Sequence, residues 1–149
     1  MARKQQTLST ALRRKLKETR VARLATLDTK RGPHIIPFCF AYDGKVFYTP
    51  IDRKPKRVAP ERLTRLQNIR KSPRVAILID HYDENWARLW YILIRGTAKL
   101  IPPSARNERG RAIRLLKAKY PQYASGMLAD DAMVIRITPE KITSWGEME

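Results

Sequence analysis

The most concentrated chemistry in the chain is the run Tyr48-Thr49-Pro50-Ile51-Asp52-Arg53-Lys54-Pro55-Lys56-Arg57, where β-forming residues give way to a basic loop and then to a helix starting near Pro60. Such a run suits the grip of a phosphate. Backbone N–H groups at a helix N-terminus carry partial positive charge, and Lys54, Lys56 and Arg57 add full charges and forked donors. Thr49 supplies a hydroxyl at the mouth of the loop. A Lys-x-Lys-Arg run alone also describes a solvated surface loop; its place between strand and helix favours the phosphate.

Other side chains that could do chemistry are fewer. His34 and His81 are the only histidines, and neither has a second histidine or a cysteine at ligand spacing, so no metal site is expected. The single cysteine, Cys39, lies between Phe38 and Phe40 and reads as a small buried apolar side chain. Asp80, Asp83 and Glu84 surround His81 where a strand should end, a place where polar loops are usual. Arg88 would either orient an anionic substrate or serve as surface charge. No serine or cysteine has a recognisable base partner, so no catalytic side chain is assigned, and a bound cofactor is expected to carry the difficult step.

The elements that must hold these groups follow from periodicity and turn residues. Leu8, Ala11, Leu12 and Leu16 recur at helical spacing, giving a short basic helix that ends near Glu18, within an N-terminal segment 1–19. Residues 20–27 and 34–42 read as strands joined by the turn cluster 28–33, and Asp43-Gly44 turns the chain into a third strand over 45–49. A helix is predicted over 60–71, a buried strand over 75–79, and a long strand over 86–101 in which Gly96 marks a bend. A basic helix over 104–119, a further helical turn or two within 121–128, and strands over 132–137 and 142–145 complete the chain. Six or so antiparallel strands with short turns are better satisfied by a closed barrel than by an open sheet. No G-x-G-x-x-G loop lies between a strand and a helix, which disfavours a Rossmann fold.

With 149 residues the chain is expected to form one domain, 1–149, with one core. A hydrophobic content of 43% excludes wholesale disorder. No apolar run reaches the ~20 residues of a membrane-crossing helix, and no secretory signal follows the basic N-terminus, so a cytoplasmic location is expected. The formal charge of +17 favours anionic partners. It gathers in three segments: 1–31 with ten basic and two acidic residues, 53–74 with nine and one, and 95–119 with eight and one.

Five motifs in this order carry a resemblance: Arg20-Val21-Ala22-Arg23-Leu24-Ala25-Thr26, Gly32-Pro33-His34-Ile35-Ile36-Pro37, Lys54-Pro55-Lys56-Arg57, Asn68-Ile69 through Pro73-Arg74-Val75, and Ile137-Thr138-Pro139-Glu140 to Trp145. Over about residues 20–145 the chain resembles the pyridoxamine-phosphate-oxidase-like split barrels, specifically their branch that uses the deazaflavin coenzyme F420. The resemblance implies a six-stranded antiparallel split β-barrel and a homodimer with two cofactor sites in the clefts between protomers. It implies that Lys54, Lys56 and Arg57 hold the cofactor phosphate and that the strand at Ile36, Pro37 and Phe38 lies along the ring system. Trp86 and Trp90 would approach from the second protomer. Trp86 also reads as an aromatic of the core or interface. Where pyridoxamine phosphate oxidases carry paired basic residues on the second strand, this chain has Ile35, Ile36 and Pro37, a departure that counts against FMN and against pyridoxamine phosphate as substrate.

The expected function is therefore an oxidoreductase passing hydride from reduced F420 to a small electron-poor molecule such as an enone or quinone. The coenzyme's phosphodiester and oligoglutamate tail suit the basic excess in residues 1–31. An FMN-dependent oxidoreductase of the same fold is one alternative, and a flavin or haem carrier without turnover is another. Nucleic-acid binding is suggested by a pI near 10.6 and two basic helices. No recognised nucleic-acid motif accompanies them, and a nucleic-acid partner is not expected.

Overall fold

A computed structural model of the protein describes residues 7–51 and 60–148, with side chains of the 60–71 helix from Thr64 onward. In chain order it contains α1 (Thr10–Glu18), β1 (Ala22–Asp28), β2 (Gly32–Phe38), β3 (Ala41–Tyr42), β4 (Phe47–Ile51), α2 (Pro60–Lys71), β5 (Arg74–His81), β6 (Trp90–Leu100), α3 (Arg106–Lys119) and β7 (Met133–Gly146). A 3-10 turn at Trp86–Arg88 precedes β6, and a π-helical turn at Tyr123–Met127 follows α3.

The strands form one seven-stranded sheet in the order β2-β1-β5-β6-β7-β4-β3, and every pairing is antiparallel. The expectation of six strands in a closed barrel is thus corrected: β2 and β3 are the two edges, and the sheet does not close. Those edges are nevertheless consecutive in the chain, separated only by Cys39 and Phe40. A two-residue link between the outermost strands obliges the sheet to curl until its edges nearly meet, which makes it a split barrel.

Residues 34–42, read as one strand, break at that link because its backbone finds side chains instead of a neighbouring strand. The Phe40 N–H donates to the Tyr120 hydroxyl (3.0 Å), and Lys119 Nζ donates to the Phe40 carbonyl (2.9 Å). Buried backbone groups must be paired, and the end of α3 does the pairing here. Two further strand expectations change for local reasons. Residues 86–88 are a turn, since Asp83 Oδ1 accepts the Asn85 N–H (2.7 Å) and Asn85 Oδ1 accepts the Ala87 N–H (3.2 Å). Residues 132–137 and 142–145 join into one 14-residue β7, with Pro139 opposite Gly96 at the register shift between Arg95 and Gly96. A proline that cannot donate to the ladder is tolerated at such a bulge. A Cβ on Gly96 would lie 2.2 Å from the Thr138 carbonyl oxygen, so the bend requires glycine.

The curled sheet encloses a core of Leu24, Ile77, Ile79, Ile92, Ile94, Ile135 and Ile137 with the rings of Phe40 and Phe47. Leu12 and Leu16 of α1, and Leu66 and Ile69 of α2, reach into this core. Ser9 caps α1 by accepting the Leu12 N–H (3.2 Å). A second cluster packs Ala112, Ile113 and Leu116 of α3 against Tyr48, Val134 and Leu128. Among the described residues no helix is long and apolar enough to cross a membrane, and no His, Cys, Asp and Glu cluster could hold a metal ion.

Candidate functional site

The pleat of β2 divides the ring-side residues between two faces. Ile36 packs against the core and Phe38 is buried with its ring 5.6 Å from that of Phe40, whereas Ile35 and Pro37 point outward. Side-chain contact with a ring outside the barrel is therefore open to Ile35 and Pro37, and Ile36 and Phe38 can offer only backbone. Among the described residues β2 is an edge strand paired with β1 alone, which leaves the other side of its backbone without a strand partner there.

Cross-strand register places the other expected residues at two ends of the sheet. At one end β4 delivers Thr49, 1% exposed, opposite Ile135, which in turn faces Leu100 of β6. The basic loop leaves from here; Lys54, Lys56 and Arg57 lie outside the described residues. The β1–β2 turn is at this end too, with Asp28 facing Gly32. On β2 near this end, His34 Nδ1 is buried without a hydrogen-bond partner among the described residues.

At the other end Ala22 faces Phe38, His81 faces Trp90, and Tyr91 faces Trp145. Trp90 is half-buried, its ring stacked on His81 at 5.9 Å with Lys15 Nζ 5.2 Å above it. Trp86 is 71% exposed in the turn before β6. Leu100 and Trp90 bound the eleven-residue β6, so at about 3.3 Å per residue the loop end and the tryptophan end are roughly 30 Å of strand apart. Thr49 and Trp90 therefore stand at opposite ends of the sheet within one protomer.

Between those ends the outer face of the sheet mixes apolar side chains with Arg23, Arg95 and Lys141, and among the described residues Ile35, Leu78, Tyr91 and Trp145 stand exposed on it. A row of partners runs Pro37–Arg23–Leu78–Leu93–Thr143 across five strands, and the next runs Ile35–Ala25–Ala76–Arg95–Lys141. Ile35 is 64% exposed, and Tyr91 stacks on Trp145 (5.9 Å, 19°) in the solvent. Arg23 is neutralised by Asp80 at 3.2 Å. Leu78 and Tyr91 do not stand out in the sequence, and Ile35 and Trp145 enter there only as members of motifs. Alternation along each strand gives their facing, but only cross-strand register gathers them into one surface.

The arrangement offers the buried Thr49 at one end, backbone and apolar side chains along an edge strand, and the exposed indoles of Trp86 and Trp145 at the other end. Among solved structures, an FAD-binding protein from Mesorhizobium loti superposes with a TM-score of 0.65 at 21% identity over 92% of this chain and 94% of that one. HutZ, the heme storage protein from Vibrio cholerae, gives 0.69 at 15% identity over 95% of both chains. A structure described as an F420 reductase gives 0.56 at 24% identity over 86% of this chain and 92% of that one. No curated protein sequence matches the chain. The family model for pyridoxamine 5'-phosphate oxidase matches residues 8–146, from the helix that fills the barrel's core to the last residue of β7, and the chain belongs to that family.

Proposed function

We propose that two copies of the chain pack through the outer face of the sheet and bind F420 in the clefts between them, acting as an oxidoreductase toward a small electron-poor molecule. The observation that carries this reading is the separation of the binding elements. Thr49, after which the basic run begins, and the tryptophans stand at opposite ends of one sheet, and the exposed Ile35, Leu78, Tyr91 and Trp145 on the face between them support a protein–protein interface there. A two-fold packing presents the loop end of one copy to the tryptophan end of the other.

The residues fit a flat anionic cofactor. Lys54, Lys56 and Arg57, with the Thr49 hydroxyl and the orphaned His34 nitrogen, would hold its phosphate. The backbone edge of β2 and Pro37 would lie along the ring, and Trp86 of the second copy would cover it and exclude water. When bound, the deazaflavin supplies the hydride; the protein positions it and shapes the space beside it. The outward residues of β2 are Ile35 and Pro37, so this strand adds no cation for FMN phosphate, which favours F420. Haem carriage is the second reading, supported by the likeness to a heme storage protein.

Equilibrium titration of one protein preparation with F420, FMN and haem tests the assignment. F420 is expected to bind most tightly, and Lys54→Ala with Lys56→Ala to weaken it roughly ten-fold or more, as the loss of two charge-assisted contacts implies. Unchanged affinity in that variant, or haem bound more tightly than F420, would overturn the reading. Steady-state reduction of a quinone by reduced F420 separates an enzyme from a carrier.

A further inference from the structure

A polar crevice of about 210 Å³ lies between the β1–β2 turn and α2, lined by Asp28, Thr29, Lys30, Arg31, Thr64, Gln67, Asn68 and Lys71. Three of these side chains are cations and one is an acid. The Asp28 carboxylate is already engaged, accepting the backbone N–H groups of Lys30 (2.9 Å) and Arg31 (3.1 Å). Those two bonds, with the nearby charges of Arg31 and Lys71, hold its pKa below the usual carboxylate value. Elsewhere basic groups find close acids, as in Arg136 with Glu108, Lys117 with Asp130 and Arg23 with Asp80. Among the described residues Lys30, Arg31 and Lys71 share the single charge of Asp28, leaving a net positive hollow.

The wall beneath is hydrogen-bonding and firmly placed. Asn68 is 6% exposed and donates from Nδ2 to Thr26 Oγ1 at 3.0 Å, which fixes its amide at the side of the crevice. The volume admits several waters, each needing about 30 Å³, or one oxyanion with part of the chain that bears it.

We propose that this crevice is an oxyanion-binding pocket, taking a carboxylate or phosphate group between Lys30, Arg31 and Lys71. α2 continues directly from the basic loop, and the crevice residues begin at its fifth position, Thr64, about 6 Å along the axis from Pro60 at 1.5 Å per residue. A ligand held at the loop can therefore extend a second anionic group into the crevice. The oxyanion comes either from the glutamate tail of the coenzyme, a source that rests on the deazaflavin reading, or from a separate small polyanion.

Calorimetric titration of the full chain with inorganic phosphate and with a γ-linked triglutamate tests the pocket without any cofactor. The triple variant Lys30→Ala, Arg31→Ala, Lys71→Ala alters only exposed side chains, and circular dichroism checks that it folds. It is expected to bind both probes roughly ten-fold more weakly than the parent, with Lys71→Arg retaining affinity. Equal affinity in parent and triple variant, or no binding of either probe by the parent, overturns the proposal. F420 species with one and with several glutamates identify the source. A preference for the longer tail that the triple variant loses assigns the tail, and equal binding by the parent, with phosphate still bound, assigns a separate ligand. Phosphate binding without F420 binding would uphold the pocket and remove the deazaflavin reading.

Discussion

Tyr120 and Lys119 satisfy, at the link between the two sheet edges, backbone groups that a neighbouring strand would satisfy elsewhere. The Tyr120 hydroxyl accepts from the Phe40 N–H and lies within donating reach of the Arg20 and Phe40 carbonyls, while Lys119 Nζ stands 3.8 Å over the Phe40 ring. Burial, with the Arg20 charge second, lowers the Lys119 pKa to about 8; burial raises that of Tyr120 to about 12. Between about pH 8 and the unfolded lysine value near 10.5 the unfolded chain binds more protons, so stability rises with pH. Between the unfolded tyrosine value of 10.0 and about 12 the folded chain binds more, and stability falls, reinforced by the raised values of Tyr42 and Tyr48. Urea midpoints measured from pH 7 to 11 should therefore climb to a maximum near pH 10, and Lys119→Met should abolish the climb while keeping the fall. A parent protein whose midpoint declines steadily above pH 8 would contradict this. Gly96 makes a second prediction: Gly96→Ala should cost about 2–3 kcal/mol in the same assay, because the methyl group meets backbone that cannot move without breaking the bulge. Gly96 was legible in the sequence as a bend inside a strand. Tyr120 was not, since nothing local to it points to a partner 80 residues away.

The elements most legible in sequence are those whose apolar faces are set by local spacing. α2 occupies 60–71 as its Leu63, Leu66 and Ile69 stripe predicts, and α1 ends at Glu18. α1 has only nine residues, too few to be stable alone, so it is held by what it buries. Leu16 is fully buried in the barrel core, and Leu16→Ala should destabilise the protein by about 3 kcal/mol in urea unfolding. A loss below about 1 kcal/mol would mean that α1 is only an appendage. The elements that sequence misjudges are those set by distant partners. β2 and β3 divide because α3 takes up Phe40, and β7 runs unbroken through Thr138-Pro139 because Gly96 of β6 makes room for it. The site divides in the same way. The basic loop and Trp86 stand out by composition, but the facing of Pro37 against Ile36 and Phe38, and the gathering of Leu78, Tyr91 and Trp145, require the pleat and register of the folded sheet.

At the scale of the whole molecule, the proposed site is one that each chain would supply in two halves. The outer face centred on Leu78 and Leu93 is the surface that would join two copies, so light scattering should give a mass twice the 17.3 kDa of the chain. Leu78→Arg should yield a folded monomer that has lost cofactor affinity, because the loop and the tryptophans then belong to separate molecules. Mixed dimers test this claim most directly. Protomers carrying Lys54→Ala with Lys56→Ala are paired with protomers carrying Trp86→Ala, and F420 stoichiometry and affinity are measured by fluorescence titration. Each parent homodimer should bind weakly at both sites, whereas the mixed dimer should regain one site of unaltered affinity, formed from the intact loop of one copy and the intact Trp86 of the other. Mixed dimers that bind no better than either parent would contradict the account.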